Sequence, residues 1–348
     1  VAYPLTARFR TGMTMVMIGL IMFSLVMMAT MNTNFSAIFL NDESRGGFDI
    51  IVQPNENNRI DDLGAALQAA GLPPTDIATT AELRIAGSFE AEVQNRDGKK
   101  ADNEQTADPN DKYVPEYMRF TVIGADAGFI QSTNIGMRIR AVGYETDEAV
   151  WNAIRDDPTK AVIPAYLIAP ADPFGPPAGE LLKLNEITGP FQPFTLKLRD
   201  PGTGNVSTIT VIGIMKDAAG TFLTLGGSGD GTGGIITGLS TVEETFPASR
   251  GQRFYLTLKP GVDGEEYAKK VESALVQASA DSLQKLLDDQ QAISNGFLLV
   301  FQGFMGLGLI VGIAALAVVA SRAVVERRQQ IGMLRAIGYQ RSMVALSF

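Results

Sequence analysis

Charge is missing from this chain in two long intervals. No Asp, Glu, Lys or Arg occurs between Arg10 and Asp42, a gap of 31 positions, or between Asp289 and Arg322, a gap of 32. Inside them lie the apolar runs 12–31 and 296–320. At 1.5 Å per residue, about 20 apolar residues cross a hydrocarbon layer roughly 30 Å thick. Both runs therefore read as transmembrane helices, over 11–33 and 294–320. A buried core helix fits runs of about 10–14 residues better. A cleaved signal peptide is weighed for the first run, because Arg8 and Arg10 precede it. Its apolar stretch is too long, and it lacks a small-x-small exit.

The flanks set the orientation. Residues 1–10 and 322–348 carry seven arginines and one acid, Glu326, a net +6. The chain totals −9, which leaves −15 for the segment between. Arginine concentrated beside both membrane ends places those ends in the cytoplasm, and two spans return the chain to the side it left. The acidic middle, 34–293, is then extracytoplasmic. Such a balance argues against nucleic acid as a partner, which would need a clustered basic face. The chain has no cysteine and no histidine. That removes disulfides, thiolate and imidazole zinc sites, and every triad with a histidine base.

The middle reads as mixed α/β. Strands are expected at 48–52, 81–93, 119–123, 138–142, 161–168, 194–198, 207–214 and 254–258, where apolar positions alternate or cluster in short runs. Helices are expected at 59–70, stopped by Gly71-Leu-Pro-Pro74, and at 147–155, which holds the only tryptophan, Trp151. A last strand–turn–helix unit runs through 253–259 and the Pro260-Gly261 turn into a helical pattern from Glu265 to about Asp289. No proline occurs from Glu265 to Ala320, so this helix is expected to continue into the membrane as a stalk. The first span is expected to run on through 34–40, with Phe35, Ile38 and Phe39 as an apolar stripe. Two packed stalks would join the outer domain to the cytoplasmic ends; two hinged linkers would not. The segments 95–112 and 225–234, rich in Asp and Asn or in Gly, read as loops. The fold class expected is thus a membrane protein of α+β type. Two spans with stalks flank a mixed domain of two subdomains, one layered α/β and one mostly β.

Catalytic readings fail on their residues. The run Gly226-Gly-Ser-Gly-Asp-Gly-Thr-Gly-Gly234 lacks the Gly-Lys-Ser/Thr of a phosphate loop and is a single copy of any calcium repeat. Ser282-Leu-Gln-Lys285 matches Ser-x-x-Lys, but its companion motifs are absent and the residues sit in the expected amphipathic helix. Asp61/Asp62 and Asp288/Asp289 are sequence neighbours, so each pair diverges around a helix. In the second span, Gly308 and Gly312 form a small-xxx-small pair that admits another helix closely. The first span holds seven of the thirteen methionines, pliable apolar side chains that suit a repacking surface or lipid.

After the second span comes Val325-Glu-Arg-Arg-Gln-Gln-Ile-Gly-Met-Leu-Arg-Ala-Ile-Gly-Tyr339, a basic helix with Ile331, Leu334 and Ile337 spaced along one side. This stretch resembles the cytoplasmic signature of FtsX-like ABC transporter permeases, the type VII group that includes MacB and the LolC/LolE proteins. Their pattern Glu-Arg-x-x-Glu-Ile-Gly-x-Leu-Arg-Ala-Ile/Leu-Gly is matched by Glu326, Arg327, Ile331, Gly332, Leu334, Arg335, Ala336 and Gly338. Gln330 departs from it and removes one charge. The opening Tyr3-Pro-Leu-Thr-Ala-Arg-Phe-Arg-Thr-Gly-Met-Thr14 is similar to the pre-helix of such permeases.

The resemblance implies a MacB-like periplasmic core domain outside the membrane. It also implies a coupling helix at 321–340, with Arg328 among its contacts, lying on a separate ATP-binding cassette ATPase. The chain itself would then be non-catalytic and hold no cofactor, ATP being bound by the partner. A second permease half or copy, the lipid bilayer and an extracytoplasmic protein or lipoprotein substrate are the other partners implied, in a prokaryotic inner or plasma membrane. Residues 1–10 would be a cytoplasmic pre-helix and 341–348 the start of a further span, so the chain is expected to be one repeat of a larger permease. The competing readings are a membrane-anchored ligand-binding or signalling protein without transport, and a tethered hydrolase.

Overall fold

Ile50, Ile51 and Val52 are all fully buried, and no single layer can do that to a strand, because successive side chains point to opposite faces. The computed structural model, which describes residues 8–39, 42–92, 117–168, 187–216, 234–326, 328–340 and 342–343, shows how both faces are covered. The chain forms two compact units, Ser36–Gln290 and the pair Val1–Phe35 with Gln291–Phe348.

The first unit contains strand β1 (Ile50–Pro54), helix α2 (Leu63–Ala69) and strand β2 (Ile77–Glu92). Near its end come β9 (Gly251–Leu258), α6 (Gly264–Ala274) and β10 (Ala278–Ser282). The four strands lie in the order β10-β1-β9-β2, every neighbouring pair antiparallel. Each β-α-β half is thus split by a strand of the other half, the ferredoxin-like arrangement. Ile50, Val52, Phe254 and Leu256 pack under Leu63 and Leu67 of α2 and Tyr267 and Val271 of α6. The opposite face, with Ile51, Leu83 and Tyr255, joins a second and larger core. Both helices start on a carboxylate cap: Asp62 Oδ1 accepts from Ala65 N–H at 3.0 Å and Asp263 Oδ1 from Glu266 N–H at 2.8 Å.

Between β2 and β9 lies a strand-rich insertion. Its elements are β3 (Tyr117–Ala125), α3 (Ala127–Ser132), β4 (Met137–Arg140), α4 (Asp147–Asp156), β5 (Lys160–Pro164), β6 (Phe194–Arg199), β7 (Val206–Met215), β8 (Ile235–Gly238) and α5 (Leu239–Thr245). The ladder from β2 through β3, β8, β5, β7 and β6 returns to β2 and closes on itself. Closure relies on the length of β2, whose first part pairs with β9 and whose Glu90 and Ala91 pair with β6. A register shift between Ala86 and Phe89 bends the strand between those two tasks. Closing the ring removes sheet edges that would otherwise stand open.

Several expectations are corrected. The helix expected from Glu265 past Asp289 does not exist as one element. It ends at Ala274, the chain pairs as β10 with β1, and a new helix α7 (Leu283–Glu326) begins at once. Tyr267, Val271, Leu275, Leu283 and Leu287 keep helical spacing across the gap, so the period hides the strand. Ala-Ser-Ala-Asp-Ser is a poor strand former, and only the pairing partner makes it one. Ser282 is therefore the last residue of a strand and not part of a helix. The strand expected at 161–168 stops at Pro164 and turns into a 3-10 helix, Ala165–Leu167. The helix expected from 59 begins at Leu63, after its Asp62 cap. Strand β8 and helices α3 and α5, four to seven residues long, were not anticipated. Helix α1 (Arg8–Phe39) runs on past the first apolar run as expected. The two loops expected at 95–112 and 225–233 lie outside the described residues.

Candidate functional site

Helix α7 is 44 residues long, and among the described residues one helix is long and apolar enough to cross a bilayer, over Leu283–Ala314. Along it Leu299, Phe304, Leu307 and Ile310 are exposed. Gly308 is exposed with open space around its Cα, and Gly312 is buried. The pair expected to admit another helix thus has two different surroundings. Glu326 is the last residue of α7, and Arg327 lies outside the described residues.

A separate helix, α8 (Arg328–Ala336), follows. It carries the expected residues Arg328, Ile331, Gly332, Leu334 and Arg335. Ile331 and Leu334, three apart, are half-buried, while Arg328, Gly332 and Arg335 are exposed. Ile337, expected on the same stripe, falls one residue past the helix and is exposed. The helix stops on a defined cap. Tyr339 N–H donates to Leu334 O at 3.2 Å and Gly338 N–H to Arg335 O at 3.1 Å, with Gly338 at φ +101°. These are the two bonds of the Schellman motif, and the positive φ is what requires glycine there. Arg335 in the last turn faces the negative end of the helix dipole.

The outer unit holds a groove of about 450 Å³ lined by Lys259, Gly261, Asp263, Ser282, Lys285 and Asp288, among others. It contains the Ser-x-x-Lys pair, whose two members are each engaged elsewhere. Ser282 Oγ accepts from the backbone N–H of Lys285 at 3.4 Å. The ammonium of Lys285 donates to Asp289 Oδ2 at 2.7 Å, and that bond raises the lysine pKa.

A polar cluster around the buried Gln252 was not visible in the sequence. Gln252 Nε2 donates to Ile60 O at 2.8 Å and to Glu82 Oε1 at 2.9 Å, and its Oε1 accepts from Ile60 N–H at 3.1 Å. Arg84 Nη2 lies 2.7 Å from Glu82 Oε1 and 3.3 Å from Glu243 Oε1. Burial raises the pKa of Glu82, and likewise that of Asp126, which caps α3 by accepting from Phe129 N–H at 2.7 Å. The cluster ties β2, β9, α5 and the approach to α2 together. Its members lie up to 192 residues apart in sequence, so no local pattern could announce it.

The sequence profile of the MacB-like periplasmic core domain matches residues 11–274. The chain belongs to that family. As a MacB-like chain it is a permease component of an ABC transporter of the type VII, FtsX/MacB kind, and its mixed α/β unit is the extracytoplasmic MacB-like domain.

Among solved structures, the periplasmic region of MacB from Actinobacillus actinomycetemcomitans aligns with 74% of this chain and 98% of its own, at 11% identity and a TM-score of 0.39. The extracellular domain of the noncanonic ABC-type transporter YknZ from Gram-positive bacteria aligns over 67% and 98%, at 9% identity and 0.32. A domain of a permease-type protein from Porphyromonas gingivalis aligns over 70% and 91%, at 10% and 0.35. No curated protein matches the chain.

Proposed function

We propose that this MacB-like chain spans the membrane with α1 and α7, keeps both ends in the cytoplasm, and presses α8 onto a separate ATP-binding cassette ATPase. ATP-driven motion of that partner then reaches the extracytoplasmic domain, for export, for extrusion of lipoproteins or peptides, or for mechanical control of a partner outside. A second permease half or copy completes the membrane part, with Gly308 and Gly312 as contact points. The observation that carries the reading is α8. It is a short basic helix directly after a membrane-length helix, closed by its own cap, with Ile331 and Leu334 on one side. The family match ends at residue 274, so α8 supports the reading independently of it.

The deciding experiment is Leu334→Asp in the full transporter. A carboxylate forced into an apolar groove is desolvated without a partner, at a cost of several kcal/mol. ATP hydrolysis stimulated by the complex should be lost while membrane insertion is intact. Normal stimulated turnover in a correctly inserted Leu334→Asp complex would remove the coupling role. It would favour a membrane-anchored binding or signalling protein whose arginines only set orientation. Orientation is tested separately by single cysteines, against the cysteine-free background of the native chain. Those at Asn103 or Gly229 should label from outside with an impermeant thiol reagent, and one at Gln340 should not; the opposite pattern overturns the topology.

A further inference from the structure

We infer that α8 recognises its ATPase partner by charge: a carboxylate-bearing ridge of the partner enters between Arg328 and Arg335 and comes close to the backbone at Gly332. This rests on the coupling role proposed above for α8 and adds the chemistry of the surface it meets. At 3.6 residues per turn, Arg328, Ile331, Gly332 and Arg335 fall within one arc of about 100°. The two arginines stand about 10 Å apart along the axis, and Gly332 lies between them. All three are exposed. Neither arginine has an ion pair or a side-chain hydrogen bond among the described residues, and no acid occurs from Arg328 to Phe348.

Two features of that arc go against helix stability and have no reason within the described chain. Glycine is a poor helix residue. Gly332 stands in mid-helix without the positive φ that asks for glycine, and a Cβ built on it meets nothing within 4 Å. Alanine would fit there and hold the helix better. Arg328 opens the helix with no acid in the first turn, so a cation sits at the positive end of the dipole. Local rules broken together on one face mark a contact made outside the helix. A glycine lets another chain approach closely, and guanidinium groups without partners match carboxylates in fork geometry. Ile331 and Leu334, half-buried beside the same stripe, suit the apolar wall of a groove. The fitting surface is an apolar groove edged by Asp or Glu. Anionic lipid headgroups also attract arginine, but they make no demand for glycine. Met333, 62% exposed on the opposite side, gives the helix an uncharged face for lipid.

The test measures binding of the copurifying ATPase to the full chain in nanodiscs of phosphatidylcholine alone, a bilayer without net charge. Affinity should fall at least ~10-fold between ~50 and ~300 mM KCl, as carboxylate–guanidinium contacts are screened. Arg328→Gln with Arg335→Gln should weaken binding ~10–100-fold at low salt and flatten that dependence. Gly332→Ala should weaken it at least ~10-fold and leave the salt dependence in place, because a methyl group blocks approach without touching charge. Alanine has the better helix propensity, so that loss would not come from an unfolded α8. A double-glutamine variant that binds like wild type at every salt concentration overturns the acidic contact and leaves the arginines to lipid. Wild-type affinity in Gly332→Ala overturns the close approach. Leu334→Asp keeps the two proposals apart. If it abolishes ATPase stimulation while the arginine and glycine variants bind normally, α8 couples and the acidic contact alone fails. If no ATPase binds the wild-type chain, the coupling role falls, and the acidic contact with it.

Discussion

Ile50, Ile51 and Val52 are completely buried, whereas Leu299, Phe304, Leu307 and Ile310, equally apolar, are 60–71% exposed. The first group lies on a strand covered by helices on one face and by a second core on the other. The second group lies in the interior of a helix, where backbone polar groups are satisfied within the helix itself, the form that hydrocarbon accepts as solvent. The same side-chain chemistry thus serves two environments, and the backbone decides which. A strand must find neighbours for its N–H and C=O groups, while a long helix need not.

The largest effect should come from placing one charge in each region. Ile51→Asp buries a carboxylate without a partner, at several kcal/mol against a total stability of about 5–15 kcal/mol. Residues 42–290 carrying it should lose their cooperative melt by circular dichroism, while the unsubstituted segment folds without membrane. Leu307→Asp should leave that domain unchanged in the full chain and instead weaken membrane insertion, by about 2.5–3.5 kcal/mol. A domain that melts normally with Ile51→Asp, or that is destabilised by Leu307→Asp, would break the comparison.

A smaller effect sharpens it, because the buried strands also carry ionisable groups. Burial holds the pKa of Glu82 above its ordinary 4.5. An acid whose folded pKa exceeds its unfolded one destabilises while ionised. The stability gained by protonation is fully present below about 4.5 and is lost as pH rises through the folded value. Relative to wild type, Glu82→Gln should therefore be most favourable near pH 7, and its advantage in melting temperature should shrink toward pH 4.5. A gap that widens in acid would show that the Arg84 ion pair outweighs the burial. The smallest effect is expected at Tyr267, whose buried hydroxyl has no hydrogen-bond partner among the described residues. Tyr267→Phe removes an unsatisfied group while keeping the ring, so its stability should lie within about 1 kcal/mol of wild type, on the stabilising side. A loss of several kcal/mol would reveal an unseen partner for that hydroxyl.

Much was legible because it is local. Charge-free intervals marked α1 and the apolar part of α7, alternation marked β2 and β7, and the residues from Glu326 to Gly338 carried the family resemblance. The profile match over 11–274 reached the same family through a different stretch of chain. Gly338 was legible only as part of that pattern; the positive φ by which it closes α8 came from the structure.

What the sequence alone determined, then, is where the chain needs water, where it needs an apolar surround, and which short motif follows the last long helix. The tertiary structure decided whatever depends on distant partners. Ala278–Ser282 is a strand because β1 lies beside it, although its own residues favour neither state. Glu82, Arg84 and Gln252 come together because β2 and β9 pair across the whole insertion. Gly47 is indispensable because Ser132 packs against it. Periodicity reports the solvent a residue prefers, whereas pairing and close approach are properties of two segments at once, and neither segment carries them alone.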